Sequence, residues 1–281
     1  SKSEDGYYVA SANVAAAQMT DLIQVSITTD GTETVRNTYT VAQYAKAVLS
    51  DSTMRPYHNL VKHMLNYGAK AQLYFDHNAD NLANVGHELE NAPVVSSEQK
   101  EMVIDGEVDG ISFYGATLLF QDRIAIRYYF TAPNGTEGYT FTVDGQPYDI
   151  QSKGAQYYVQ VNGFNPQDYN NDVILTVSDG ATSQSITYSP MHYITRMYNK
   201  ASTSESLKNL LAAMYGYHGA ACNLPDLTPE ELGYSKITLA GLGIADGTQS
   251  GNLVNNKLVE DGLANNIKSA KKMIDKGKTE V

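Results

Sequence analysis

Hydrophobic and polar residues alternate at period two through the middle of the chain: Ile111 and Phe113, then Ile124, Ile126, Tyr128 and Phe130, then Tyr139, Phe141 and Val143. Successive side chains of a strand point to opposite faces, so this period predicts half-buried strands with one apolar face. Asn134-Gly135 and Asp144-Gly145 fall between them, dipeptides whose second residue takes positive φ in tight hairpins. Tyr157 to Val161 and Asp172 to Val177 read as further strands. Pairs such as Tyr128-Tyr129 and Tyr157-Tyr158 are expected to turn one ring inward and one outward. Several short strands at this spacing suggest a β-sandwich. After them the period changes to that of a helix. Ser189 reads as an N-cap with Pro190 at the first helical position. Leu210, Met214, Tyr217 and Ala221 then form one buried stripe, opened by a capping box of Ser202 and Glu205. The two helices read as an antiparallel hairpin.

The same order of signals occurs earlier in the chain. Tyr7, Tyr8 and Val9 map onto Tyr157, Tyr158 and Val159 at an offset of 150, Asp21 and Ile23 onto Asp172 and Ile174, and Thr38-Tyr39 with Tyr44 onto Thr187-Tyr188 with Tyr193. Asn59 to Ala71, N-L-V-K-H-M-L-N-Y-G-A-K-A, overlies Asn209 to Ala221, N-L-L-A-A-M-Y-G-Y-H-G-A-A. An internal repeat of this length is one supersecondary unit used twice. Thr40 takes the place of Ser189 as N-cap. Val41, Tyr44, Ala45 and Val48 form the stripe of a first helix, and Leu60, Met64, Tyr67 and Ala71 that of a second. Tyr44, Tyr67, Tyr193 and Tyr217 all fall on such stripes and are assigned to packing. The expected fold class is α+β, a β-sandwich followed by a two-helix hairpin, in one partial and one complete copy with a helical tail. The boundaries read as 1–75 for the partial copy and 76–92 for an Asn-rich linker or ordered loop. They continue with 93–223 for the complete copy and 224–281 for the tail. In the tail, Leu263, Ile267, Ala270 and Ile274 share one helix face, and Lys268, Lys271, Lys272, Lys276 and Lys278 crowd its end.

The stretch Y-T-V-A-Q-Y-A-K-A-V-L followed by M-L-N-Y-G-A-K-A-Q-x-Y-F, together with F-Y-G-A-x-L-L-F-x-D-R-I-A-I-R-Y-Y-F from Phe113 to Phe130, resembles a module repeated in large secreted and cell-surface proteins of anaerobic gut and rumen bacteria. The likeness runs from about Tyr7 to Asn223. It implies extracellular display in a multi-modular protein, beside plant-polysaccharide enzymes or in surface proteins that meet a host, and it carries no catalytic residues to transfer. Through A-G-L-G-I, N-L-V-N-N-K and V-E-D-G-L the tail bears a fainter resemblance to the three-helix albumin-binding modules of Gram-positive surface proteins.

Composition narrows the function. Among 281 residues there are 31 acidic and 20 basic side chains, a net charge of −11, which argues against a phosphate backbone as ligand and so against nucleic acid. One Cys excludes an internal disulfide framework, and no apolar run has the length of a membrane span. Twenty-one Tyr, no Trp and few charges suit an extracellular surface of neutral polar groups and phenols. The opening SKSEDGYY lacks a basic region followed by an apolar stretch, so a secretion signal is expected to have been removed or to lie upstream.

Candidate chemistry is sparse. The six histidines, His58, His63, His77, His87, His192 and His218, form no i, i+4 pair around a Glu, the arrangement a zinc protease needs. Asp76, Asn78 and Asp80 have the D-x-N-x-D opening of a calcium loop, but position twelve is His87 where a bidentate Glu is required, and a helix-terminating loop explains the same letters. Cys222 ends an apolar stripe and reads as a small buried or half-buried side chain without an activating base. No G-x-S-x-G elbow, phosphate-binding loop or dinucleotide fingerprint is present. The expectation is therefore no enzyme and no cofactor. Exposed tyrosines remain as ligand-binding candidates, Tyr129, Tyr158 and Tyr169, because a phenol buries a large amphipathic area at low entropic cost. The expected partner is a host or bacterial surface protein, an immunoglobulin among the candidates. The alternatives are a glycan, as in a carbohydrate-binding module, and no ligand at all, as in a spacer.

Overall fold

The computed structural model describes residues 12–224 apart from 30, 31, 122 and 155. The expected tail helix and the opening Tyr7 to Val9 lie outside the described residues. The rest is mixed α+β with antiparallel sheets and four α-helices, and it falls into two compact units, residues 12–90 with 223–224 and Asn91–Cys222.

The first unit begins with a 3-10 turn, Ala16–Gln18, and a strand pair, β1 (Ile23–Thr29) and β2 (Thr32–Tyr39), in register from Ile23 opposite Tyr39. Helix α1 (Val41–Ser50) follows at once. Thr40 Oγ1 accepts the Gln43 N–H at 3.0 Å and Gln43 Oε1 accepts the Thr40 N–H at 2.9 Å, a reciprocal cap that satisfies two otherwise orphaned donors. Ala42, Ala45 and Val48 form its buried face, and Tyr44, assigned from its spacing to packing, is instead 41% exposed. A second 3-10 turn, Ser52–Met54, leads into α2 (Arg55–Phe75). Of the expected stripe, Tyr67 and Ala71 are buried and Leu60 and Met64 are not fully so. Leu65 and Gln72 are fully buried while Leu60 and Met64 are half-buried, because α2 is covered on one side by α1 and on another by the first 3-10 turn. Leu65 packs with Met19, Ala42, Ala45 and Ala83. Gly68 makes the approach of that turn possible: a Cβ there would meet Met19 Sδ at 2.5 Å and the Ala16 carbonyl at 3.2 Å.

The second unit holds β3 (Val103–Gly106), β4 (Ser112–Phe120), β5 (Ile124–Thr131), β6 (Thr140–Val143), β7 (Gln146–Pro147), β8 (Gln151–Lys153), β9 (Gln156–Phe164), β10 (Val173–Ser178) and β11 (Ser183–Tyr188). They form two antiparallel sheets, in the orders β3-β11-β10-β6-β7 and β4-β5-β9-β8. Asp144 and Gly145, both at positive φ, close the β6–β7 hairpin as the dipeptide predicts. Ile126, Tyr128 and Phe130 of β5 are wholly buried and meet the inward rings of the other sheet. Phe130 lies 5.8 Å from Phe141 of β6 and Tyr128 lies 6.2 Å from Tyr188 of β11, between ring centroids. The Tyr128 hydroxyl donates to the Val173 carbonyl at 3.3 Å, and burial pushes both phenols well above their ordinary pKa. Helices α3 (Pro190–Asn199) and α4 (Glu205–Cys222) follow, with Leu210, Leu211 and Met214 at zero exposure. Ser204, two residues beyond the expected Ser202, caps α4, its Oγ accepting the Leu207 N–H at 3.3 Å.

Candidate binding site

The alternation that buries Ile126, Tyr128 and Phe130 turns Arg127 and Tyr129 to the opposite face of β5. Register then sets their neighbours. Gly115, Tyr129, Tyr158 and Gln151 lie in one cross-strand row, and Thr117, Arg127 and Gln160 in the next. The Tyr129 and Tyr158 rings are 6.2 Å apart and tilted by 50°, and both side chains are half-buried. Arg127 lies over the Tyr158 ring with its guanidinium carbon 4.2 Å from the centroid. Its Nε donates to Gln160 Oε1 at 3.1 Å and its Nη2 donates to the same oxygen. Gln160 in turn donates to Asn162 Oδ1 at 2.7 Å and to Gln121 Oε1 at 3.4 Å. The guanidinium is thus held flat before any ligand arrives. No carboxylate occurs among these cross-strand positions although the chain carries a net charge of −11. Beside them the backbone at Gly115 faces open space. Such a surface offers phenol faces, a cation and amides to a ligand, and holds no nucleophile beside a base.

The sequence marks Tyr129 and Tyr158, and the structure brings them together. Tyr169 is elsewhere and is not an exposed ring: it is 2% exposed, set in the 3-10 turn Pro166–Asn170 and stacked on His218 of α4 at 16° between ring planes. A lone Tyr in an Asn-rich loop carries no periodicity, so nothing in the sequence marks it as core. Arg127 and Gln160 were not singled out, since pairing register is invisible in one strand; the signal was the outward phase of I-A-I-R-Y-Y-F.

Asp76, Asn78 and Asp80 follow the end of α2. Asp76 adopts the left-handed conformation of a helix C-cap, with φ 51°, and Asn78 Nδ2 donates to Thr20 Oγ1 at 2.9 Å. Buried Gln72 holds the loop from inside. Its Nε2 donates to Thr20 Oγ1 and to the carbonyls of Asn78 and Asn81, while its Oε1 accepts the Ala83 N–H at 2.8 Å. Those inward carbonyls are engaged, and helix termination accounts for the letters. Cys222, expected to be buried or half-buried, is exposed, with Sγ 3.6 Å from His218 Nδ1. His218 Nδ1 donates to the Pro166 carbonyl at 2.7 Å, so the imidazole lone pair is on Nε2, 3.8 Å from Sγ, and the thiol does have a histidine beside it. His192 is 2% exposed: its Nδ1 accepts the Ser189 N–H at 2.9 Å and its Nε2–H donates to the Glu101 carbonyl at 2.9 Å, while burial holds its pKa below the ordinary value.

Among the described residues, no group of three or more His, Cys, Asp or Glu side chains is placed to hold a metal ion, and no helix is long and apolar enough to cross a membrane. Comparison with protein-family models, with curated proteins and with solved structures returned no match.

Proposed function

We propose that the chain is a non-catalytic extracellular binding module of a modular bacterial surface protein, and that it recognises a protein ligand through the face built on Arg127, Tyr129 and Tyr158. The observation that carries this reading is the Arg127 guanidinium, stacked on Tyr158 and tied to Gln160. Arg and Tyr dominate the energetics of protein interfaces, and a cation ordered before contact forfeits less side-chain entropy on binding. Arg127 also covers one face of Tyr158, which disfavours a sugar stacking there and leaves Tyr129 and the guanidinium edge for a protein surface. The resemblance to modules of gut and rumen bacteria points to a host secreted protein, with immunoglobulin as the first candidate.

In this reading the two sheets of the second unit are a β-sandwich and the two units are copies of one module. What supports it is order: each unit runs 3-10 turn, two antiparallel strands, capped helix, second helix, at an offset near 150. Retention of host secretory proteins on the immobilised chain, compared between wild type and Arg127→Ala or Tyr129→Ala, tests the face. The reading expects at least a tenfold loss in each variant. Turnover of any peptide or polysaccharide by the wild-type chain would remove the non-catalytic part of it.

A second reading, a carbohydrate-binding module, is favoured by the side-chain amides of Gln121, Gln160 and Asn162, which are linked by hydrogen bonds into one polar cluster. Retardation in gels containing soluble plant polysaccharide separates the two.

A further inference from the structure

In the second unit the segment Ser96–Glu101, which bends at Ser97 and Glu98, lies along α3 and the approach to β10. The Glu101 carbonyl accepts from His192 Nε2 at 2.9 Å, and the Lys100 N–H donates to Thr195 Oγ1 at 3.1 Å. Lys100 Nζ contacts Asp172 Oδ1 at 2.7 Å and donates to the Asn170 carbonyl at 2.7 Å, and Asn199 Nδ2 donates to the Ser96 carbonyl at 2.9 Å. This seat has its counterpart in the first unit. Asp21 stands just before β1 as Asp172 stands before β10, and Gln43 closes the cap of α1 as His192 closes that of α3. Ala42 and Lys46 take the places of Met191 and Thr195.

Among the described residues that first-unit seat is an open groove. A cavity of about 640 Å³ is bounded by Asp21, Leu22, Ala42, Gln43, Lys46 and Asn78, and Leu22 is 73% exposed. We propose that this groove seats a lysine-bearing peptide of the Ser96–Glu101 kind, donated by another module of the same fold. The inference rests on the equivalence of the two units. Charge and hydrogen-bonding chemistry match the occupant. The Asp21 carboxylate faces His77 Nε2 with both oxygens, at 3.0 and 2.9 Å, and retains further lone pairs for an ammonium group, as Asp172 uses its own for Lys100. Gln43 turns Oε1 to the cap, which leaves its Nε2 as a donor for the peptide carbonyl that His192 Nε2 meets in the second unit. One contact changes character. Lys46 in place of Thr195 gives up the bond to the peptide N–H and offers a cation to the peptide's own carboxylates, Glu98 and Glu101 in the second-unit segment.

The test is binding of a synthetic peptide with the sequence of residues 94–103 to the 281-residue protein, read by calorimetry. Saturable binding is expected, weakened at least about tenfold by Asp21→Lys, and equally by alanine at the Lys100 position of the peptide. Glu137→Lys, an exposed change of the same charge in the second unit, should leave it unaltered. Absence of saturable binding, or equal binding by the Asp21→Lys protein with its melting temperature intact, overturns the proposal. Hydrogen exchange separates this failure from failure of the equivalence. Thr195→Ala should accelerate exchange of the Lys100 amide in the second unit, and an unchanged rate there would mean that the template seat itself is misread.

Discussion

Arg127 and His192 show how a single position takes its meaning from its partners. On β5, Arg127 is a cation on an outward phase, and only the register with β9 makes it the centre of a face with Tyr158 and Gln160. His192 is neutral by construction: its Nδ1 accepts from the Ser189 N–H, its Nε2–H donates to Glu101, and burial lowers its pKa although Asp172 Oδ1 lies 4.0 Å away. His63 is displaced in the same direction by burial. In the unfolded chain these imidazoles take up protons near pH 6.5, where the folded protein does not. The stability they contribute is therefore complete above about pH 6.5 and falls as the pH drops below it. Melting temperature measured from pH 7.5 to 5 should decline, and His192→Gln, which copies the Gln43 cap, should make the decline shallower. An identical slope in that variant would show that His192 is not a source. Core positions make a simpler prediction. Leu65→Ala and Met214→Ala, both at zero exposure, should each destabilise by about 2 to 5 kcal/mol, and Tyr44→Ala by less than about 0.5 kcal/mol, in denaturant titrations.

At the level of the element, hairpins and caps were legible because they are local. Asp144-Gly145 closes a hairpin, Thr40 caps α1 and Pro190 opens α3, each determined by residues within a turn of one another. The period-two runs located β5, β6, β9 and β10, whereas β3, four residues with every side chain exposed, left no pattern to read. Helical stripes were legible to within one residue. Periodicity marks a face and not its width, so the doubly covered α2 buries Leu65 and Gln72 beside the expected Tyr67 and Ala71, while Leu60 and Met64 stay half-buried and Tyr44 lies outside the covered arc. Buried polar hubs were not legible. Gln72 looks like any helix-surface amide until Thr20, Asn78, Asn81 and Ala83 close around it. Gln72→Leu should destabilise the first unit by at least about 2 kcal/mol, since it strands several buried partners at once. Thr40→Ala should remove about 1 kcal/mol through loss of the cap. Both are read from denaturant titrations, and a neutral Gln72→Leu would mean that the loop at 76–83 supplies its own hydrogen bonds.

On the scale of the molecule, composition and patterning were enough for the class, α+β with antiparallel sheets and paired helices. The candidate site was only half legible. Its two tyrosines follow from alternation, while the arginine that orders them depends on strand pairing that no local pattern records. The cross-strand positions around Arg127, Tyr129 and Tyr158 carry no carboxylate in a chain of net charge −11, and the proposed reading has them meet a partner of complementary charge. The most direct measurement is therefore parallel retention of purified immunoglobulin, whole host secretions and soluble plant polysaccharides on the wild-type chain and on Arg127→Ala. Retention of a host protein by the wild type, lost at least tenfold in the variant, is the predicted result. Retention that Arg127→Ala leaves unchanged, or retention of polysaccharide alone, would contradict the account.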